Sequence, residues 1–166
     1  RPTVPEPQGF HELLEQIELT EQLAADFPNV PKYQLELANN YGEAGNQFVR
    51  NQQLEQAETM YRKALSISER LAPEYSGVPT YQETFGIAHH DLANLLKRQD
   101  RLPEAELTYR AAVLTYEKLA SNLPDSPRYS ERLAEYYRSL SVHLLDLGKS
   151  DEAEQVLRQA QPVARR

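Results

Sequence analysis

His89, His90 and Asp91 are the residues that most resemble a metal-binding or acid–base fragment. Two imidazoles beside a carboxylate could hold a divalent cation or move a proton. Adjacent helix residues, however, point about 100° apart and do not converge on one ion. His89 also lies 48 residues from both Tyr41 and Tyr137, which makes it a packing ring with a polar tip and leaves His90 as a binding contact. His11 and His143 have no ligand-like company. Glu58, Glu106 and Glu154 offer carboxylates, but each stands four residues before an arginine, Arg62, Arg110 and Arg158. Glu before Arg at that spacing is the better orientation of a helix-surface pair, worth roughly 0.2–0.5 kcal/mol. Three copies of it read as scaffolding. The chain has no cysteine, which removes disulfides, thiolate zinc sites and cysteine nucleophiles. With 6 glycines there is no phosphate-cradling loop, and neither GxSxG nor HExxH occurs. The expectation is a protein that is not an enzyme and uses no cofactor and no metal.

Charge narrows the partners. The formal net charge is −7, whereas phosphate binding needs clustered Lys and Arg, so nucleic acid is not expected. No apolar run approaches the ~20 residues of a membrane helix, and no apolar segment follows the start at Arg1-Pro2-Thr3-Val4-Pro5. A cytoplasmic location is expected, and a start at Arg1 reads as an excerpt of a longer chain. The prolines at 2, 5 and 7 mark residues 1–8 as a stiff linker.

What must position any binding residue is a repeat. Pro31 and Tyr33 recur as Pro79 and Tyr81, then as Pro127 and Tyr129, a step of 48 residues. The same step relates Ala57, Ala105 and Ala153, and also Ala64, Ala112 and Ala160. Leu71-Ala72 and Leu119-Ala120 find an earlier partner in Leu23-Ala24, so a half unit comes first. Each unit reads as two helices. Leu37, Tyr41, Ala44 and Phe48 form one apolar stripe, as do Leu133, Tyr137, Leu140 and Leu144. Leu102, Ala105, Tyr109, Ala112 and Leu119 form the stripe of a second helix. Proline at 31, 79 and 127 suits a first helical turn, Ser126 an N-cap, and Gly148 a helix stop. Pro73 should end or kink its helix early. The spacing predicts helices near 9–27, 30–51, 54–73, 79–99, 102–123, 127–147 and 150–160. The repeat domain spans 9–160, as a half repeat (9–27) and three repeats (30–75, 78–123 and 126–160), with a tail at 161–166.

Tyr41-x2-Ala44-Gly45-x2-Phe48 followed by Ala57-x3-Tyr61 resembles the tetratricopeptide repeat pattern, W-x2-L-G-x2-Y then A-x3-F. So do His89-x2-Leu92-Ala93-x2-Leu96 with Ala105-x3-Tyr109, and Tyr137-x2-Leu140-Ser141-x2-Leu144 with Ala153-x3-Leu157. The resemblance covers about residues 11–160. It departs in period, 48 rather than 34, with Glu69 and Glu117 where a proline usually ends the motif. The longer period and the Pro-x-Tyr start resemble tetratricopeptide regions attached to bacterial serine/threonine kinases and related signalling proteins.

An all-α fold follows: a right-handed alpha-alpha superhelix, or solenoid, of three antiparallel helix pairs plus one preceding helix. First helices would line its concave wall. Facing away from the apolar stripe are Asn39, Glu43, Asn46 and Arg50, then Ile87, Asp91, Asn94 and Arg98, then Glu135, Ser139, Val142 and Asp146, with Gly42, His90 and Arg138 beside them. Asparagine amides can both donate to and accept from an extended peptide. The expected function is therefore a protein–protein interaction scaffold, or adaptor, gripping a peptide or partner segment along this wall. Some relatives clamp a terminal carboxylate with concave Lys, Asn and Arg, but Glu43, Asp91 and Glu135 point here to a basic or neutral ligand. Two other readings remain: homo-oligomerisation through the array ends, where Val156 and Leu157 could be exposed, and a small-ligand sensor in the concavity.

Overall fold

The computed structural model describes residues 8–163. Of the linker expected at 1–8 and the tail expected at 161–166, residues 1–7 and 164–166 lie outside the described residues. Everything regular among the described residues is helix: α1 (Gln8–Asp26), α2 (Pro31–Arg50), α3 (Leu54–Glu74), α4 (Pro79–Arg98), α5 (Leu102–Asn122), α6 (Pro127–Asp146) and α7 (Ser150–Val163). The limits of the first six fall within one residue of those predicted from spacing. The last runs three residues further, through Pro162. Pro73 does not shorten its helix either. α3 ends at Glu74 and α5 at Asn122, one repeat step apart, because a proline next to the end of a helix removes a single backbone bond.

Local backbone chemistry repeats with the sequence. The residue before each first-helix proline, Val30, Val78 or Ser126, is extended. Ser126 thus sits at the N-cap, yet its hydroxyl makes no capping bond. Between the helices of a pair, Gln52, Asp100 and Gly148 all take positive φ, at 61°, 60° and 72°. The following N–H, on Gln53, Arg101 or Lys149, then reaches back to the carbonyl of Phe48, Leu96 or Leu144 at 2.8–2.9 Å. That is a left-handed helix stop, used three times with glycine in only one.

The chain divides into two compact units with the boundary between Leu71 and Ala72. In the first unit, α1 supplies Phe10, Leu13, Ile17 and Ala24 to the core, and α2 supplies Leu37, Ala38, Tyr41 and Ala44. Phe10 stands edge-on to Phe48, with ring centres 5.0 Å apart. Side chains tie α1 to α2: Gln34 donates to the Ala24 carbonyl at 3.1 Å, Asn40 to Thr20 Oγ1 at 3.1 Å, and the Tyr41 hydroxyl to Glu21. Desolvation and the Glu21 carboxylate together push the Tyr41 phenol well above its ordinary pKa. Gly45 lets α3 come close, since a Cβ there would strike the Tyr61 ring.

In the second unit α4 packs on α5, α5 on α6 and α6 on α7. Leu92, Leu95, Leu96 and Leu144 are almost wholly buried, each stabilising the fold by about 1.5–3 kcal/mol relative to exposure. Tyr116 is 1% exposed and lies against Gly86. The Tyr137 hydroxyl donates to Glu117 at 2.6 Å, one more copy of the bond that Tyr41 makes. Glu106, besides its pair with Arg110 at 2.9 Å, receives Lys149 at 2.8 Å, while Arg110 reaches Glu152 at 2.6 Å. Desolvation raises the Glu106 pKa, but hydrogen bonds from Lys149 and Arg110 outweigh it and hold the carboxyl below its ordinary value. At the end of the array Val156 is buried and Leu157 is 40% exposed.

Candidate functional site

In the second unit the first helices α4 and α6 lie side by side across α5, and a groove of about 600 Å³ opens between them. α4 contributes Asn94, Lys97 and Arg98, and α6 contributes Glu135, Arg138, Ser139 and Val142. Tyr109 of α5 completes the lining. Six residues picked from the sequence therefore converge here: Asn94, Arg98, Glu135, Arg138, Ser139 and Val142. Ile87, His90 and Asp91 do not line the groove.

His90 is buried, 8% exposed, and acts between the helices. Its ring stacks on Tyr136 of α6 with centres 4.1 Å apart and planes 9° from parallel. Nε2 lies 3.0 Å from the Ser139 hydroxyl, and Nδ1 lies 3.3 Å from the Asn94 amide. The Tyr109 hydroxyl donates to Asn94 Oδ1 at 2.6 Å, so Ser139, His90, Asn94 and Tyr109 form one connected network. Burial holds the His90 pKa down at about 4, with Glu135 opposing that shift and Arg132 adding to it. The ring is thus neutral near pH 7, and its partners orient the groove face of Asn94. Asp91 is half-buried, with its carboxylate 3.9 Å from His90 Nδ1.

The first unit repeats part of this arrangement. The Tyr61 hydroxyl donates to Asn46 Oδ1 at 2.7 Å, one repeat step before the Tyr109–Asn94 bond. Asn39, Glu43 and Arg50 are exposed on α2, and Arg50 lies 3.6 Å from Glu43. In the third copy the same two columns hold Val142 and Leu157. Both polar partners are replaced by apolar ones there, which leaves no orphaned donor or acceptor.

The charge of the groove differs from that of the chain. Among the lining residues are three cations, Lys97, Arg98 and Arg138, and one carboxylate, Glu135, which is paired with Arg132 at 3.2 Å. Lys97 is held by Asp146 at 2.6 Å, whereas Arg138 is exposed and pairs with no described residue. The sequence reasoning missed Lys97 and Tyr109. Lys97 stands one turn beyond Asn94 on the same helix face and was findable by spacing. Tyr109 falls in a core column, and nothing in its spacing separates a buried ring from one whose hydroxyl reaches a groove. No group of three or more His, Asp or Glu residues among the described residues could hold a metal, and no described helix is long and apolar enough to cross a membrane.

No curated protein matches the chain. Among solved structures it is similar to the crystal structure of BtubC (BKLC) from P. vanneervenii, at 13% identity over 98% of this chain and 92% of that one, with a TM-score of 0.35. Residues 90–128 match a family model described as tetratricopeptide repeat. That span runs from His90 through α5 into the first turn of α6, and it supports a tetratricopeptide-type family for the repeat.

Proposed function

We propose that this chain is a protein-interaction module whose second unit grips an extended segment of a partner protein in the groove between α4 and α6. Repeats of the tetratricopeptide type generally mediate protein–protein contacts and are generally not catalytic. The observation that carries the reading is the groove itself: about 600 Å³, open, and lined by amide, hydroxyl and charged groups over an aromatic floor. Asn94 Oδ1, already oriented by Tyr109, keeps a second lone pair for a peptide N–H. Arg98, Arg138 and Ser139 supply donors, and Val142 supplies an apolar contact. The expectation of a basic or neutral ligand rested on counting carboxylates along the repeat. Among the lining residues cations outnumber carboxylates even with Lys97 paired to Asp146, and a segment bearing an acidic side chain suits the groove better. In the first unit Asn39, Glu43, Asn46 and Arg50 offer a separate set of contacts.

The test is fluorescence anisotropy with labelled extended peptides of acidic, neutral and basic composition. Acidic peptides should bind best, and Arg138→Glu should weaken them several-fold while leaving the circular dichroism spectrum unchanged. Preferential binding of basic peptides would overturn the ligand class. Binding insensitive to Arg138, Ser139 and Asn94 substitutions would overturn the site.

A further inference from the structure

His90 stands where the first unit has a glycine. Gly42 and His90 share a repeat column, yet the asparagine one turn further on is set alike in both units. The Tyr61 hydroxyl bonds Asn46 Oδ1 at 2.7 Å, and the Tyr109 hydroxyl bonds Asn94 Oδ1 at 2.6 Å. Tyrosine by itself therefore orients the asparagine, and that task does not explain a buried imidazole. What His90 adds is its second nitrogen, which reaches Ser139 on the other wall of the groove at 3.0 Å.

This chain of bonds has one direction. An amide oxygen only accepts, so Tyr109 must donate to Asn94 Oδ1. An amide nitrogen only donates, so His90 Nδ1, 3.3 Å from it, must accept. The Asp91 carboxylate, 3.9 Å from Nδ1, is too distant to hold a proton there. The ring is neutral near pH 7, so its proton sits on Nε2 and is donated to Ser139 Oγ. Ser139 keeps its own proton to give. Thr108 and Thr115 give theirs to the carbonyl four residues back, Glu104 at 2.8 Å and Ala111 at 2.9 Å. Among the described residues Ser139 makes no such bond, and it lines the groove.

We infer that His90 is a positioning residue, whose Nε2–H holds the Ser139 hydroxyl off its own helix and aims it into the groove as a hydrogen-bond donor. The role rests on the groove being the peptide site. Asn94 then accepts on the α4 wall and Ser139 donates from the α6 wall. Together they suit an N–H and a C=O of the bound segment's main chain, which every residue but proline carries. This pair grips main chain whatever the side chains, and Arg98 and Arg138 select acidic ones.

Long-range proton–nitrogen correlation NMR of the labelled chain at pH 7 reads the tautomer, with His90→Gln identifying the ring. The Nε2–H form is expected; an Nδ1–H form or an even mixture would overturn the inference. In anisotropy with the labelled acidic peptide, His90→Gln should bind nearly as the wild type does, because a glutamine amide at the Nε2 position still donates to Ser139. His90→Asn is too short to reach Ser139 and should weaken binding several-fold, as much as Ser139→Ala. Combining His90→Asn with Ser139→Ala should weaken it no further, since both remove one donor. Equal losses in His90→Gln and His90→Asn would mark a merely structural histidine and overturn the role, as would losses that add. A wild-type chain that binds no peptide removes the groove reading and this role together. A wrong tautomer with peptide binding intact removes this role alone.

Discussion

Replacing Gly86 with alanine isolates the tightest helix contact in the second unit. In an exposed helix interior this change ordinarily stabilises by about 1 kcal/mol, because glycine carries the larger backbone entropy. Here the new Cβ would lie 2.6 Å from Tyr116 Cε2, 2.7 Å from Tyr116 Cδ2 and 3.3 Å from Thr115 Cγ2. Carbon atoms pack best near 3.5–4.0 Å, so the ring must move by close to an ångström. It has nowhere to go: it is 1% exposed, with Tyr136 and Tyr129 centred 4.8 Å and 6.3 Å away. Overpacking of this kind costs about 1–3 kcal/mol, which cancels the propensity gain and leaves a net loss of up to about 2 kcal/mol. In a Tyr116→Leu background the ring edge is gone, and the same Gly86→Ala change should stabilise by about 1 kcal/mol. Urea unfolding of the four chains, followed by circular dichroism, gives the coupling directly, expected at about 1–3 kcal/mol. Equal stabilisation in both backgrounds would show that Tyr116 does not depend on the missing Cβ and would refute the reasoning.

Two further outcomes follow from backbone and charge. Asp100 holds φ at 60° in a turn where Gly148 holds 72°, so Asp100→Gly should relieve about 1 kcal/mol of left-handed strain and raise the melting temperature by about 2–4 °C; a lowered melting temperature would contradict this account of the turn. His90 is neutral in the fold, and burial holds its pKa near 4 rather than the usual 6.5, so on acidification the unfolded chain takes up a proton before the folded one does. Stability contributed by the neutral ring is therefore complete above about 6.5 and lost as the pH falls toward 4, by at most about 3 kcal/mol. Urea midpoints measured across that window should fall in the wild-type chain and fall less in His90→Gln; identical profiles would exclude His90 as the titrating group.

Much of the architecture was legible because it is written in period. Proline and tyrosine at fixed intervals mark where first helices begin, and apolar residues three and four apart mark which faces are buried. Those signals are local or strictly repeated, and the limits of the first six helices follow from them to within a residue. The left-handed stop was visible only at Gly148. Gln52 and Asp100 adopt the same conformation without glycine because the flanking helices impose it; glutamine carries no sign of it and aspartate only a weak one.

The lining of the groove was legible in part. Spacing put Asn94, Arg98, Glu135, Arg138, Ser139 and Val142 on one face of their helices, and they do meet at a groove. The same spacing placed His90 beside them as a contact, yet the fold turns its ring inward onto Tyr136 and ties it to Ser139 and Asn94. Period tells which way a side chain leaves its own helix but not what stands opposite.

The residues alone determined that this chain is a helical repeat, since that conclusion depends on residue types and intervals along one strand of covalent structure. Tertiary structure decided that Gly86 exists for Tyr116, that Tyr109 and Tyr61 are hydrogen-bond partners of asparagines, and that an acidic chain carries a groove rich in cations. These depend on distances between helices, and pairing across space leaves no mark on either partner that sequence order could reveal.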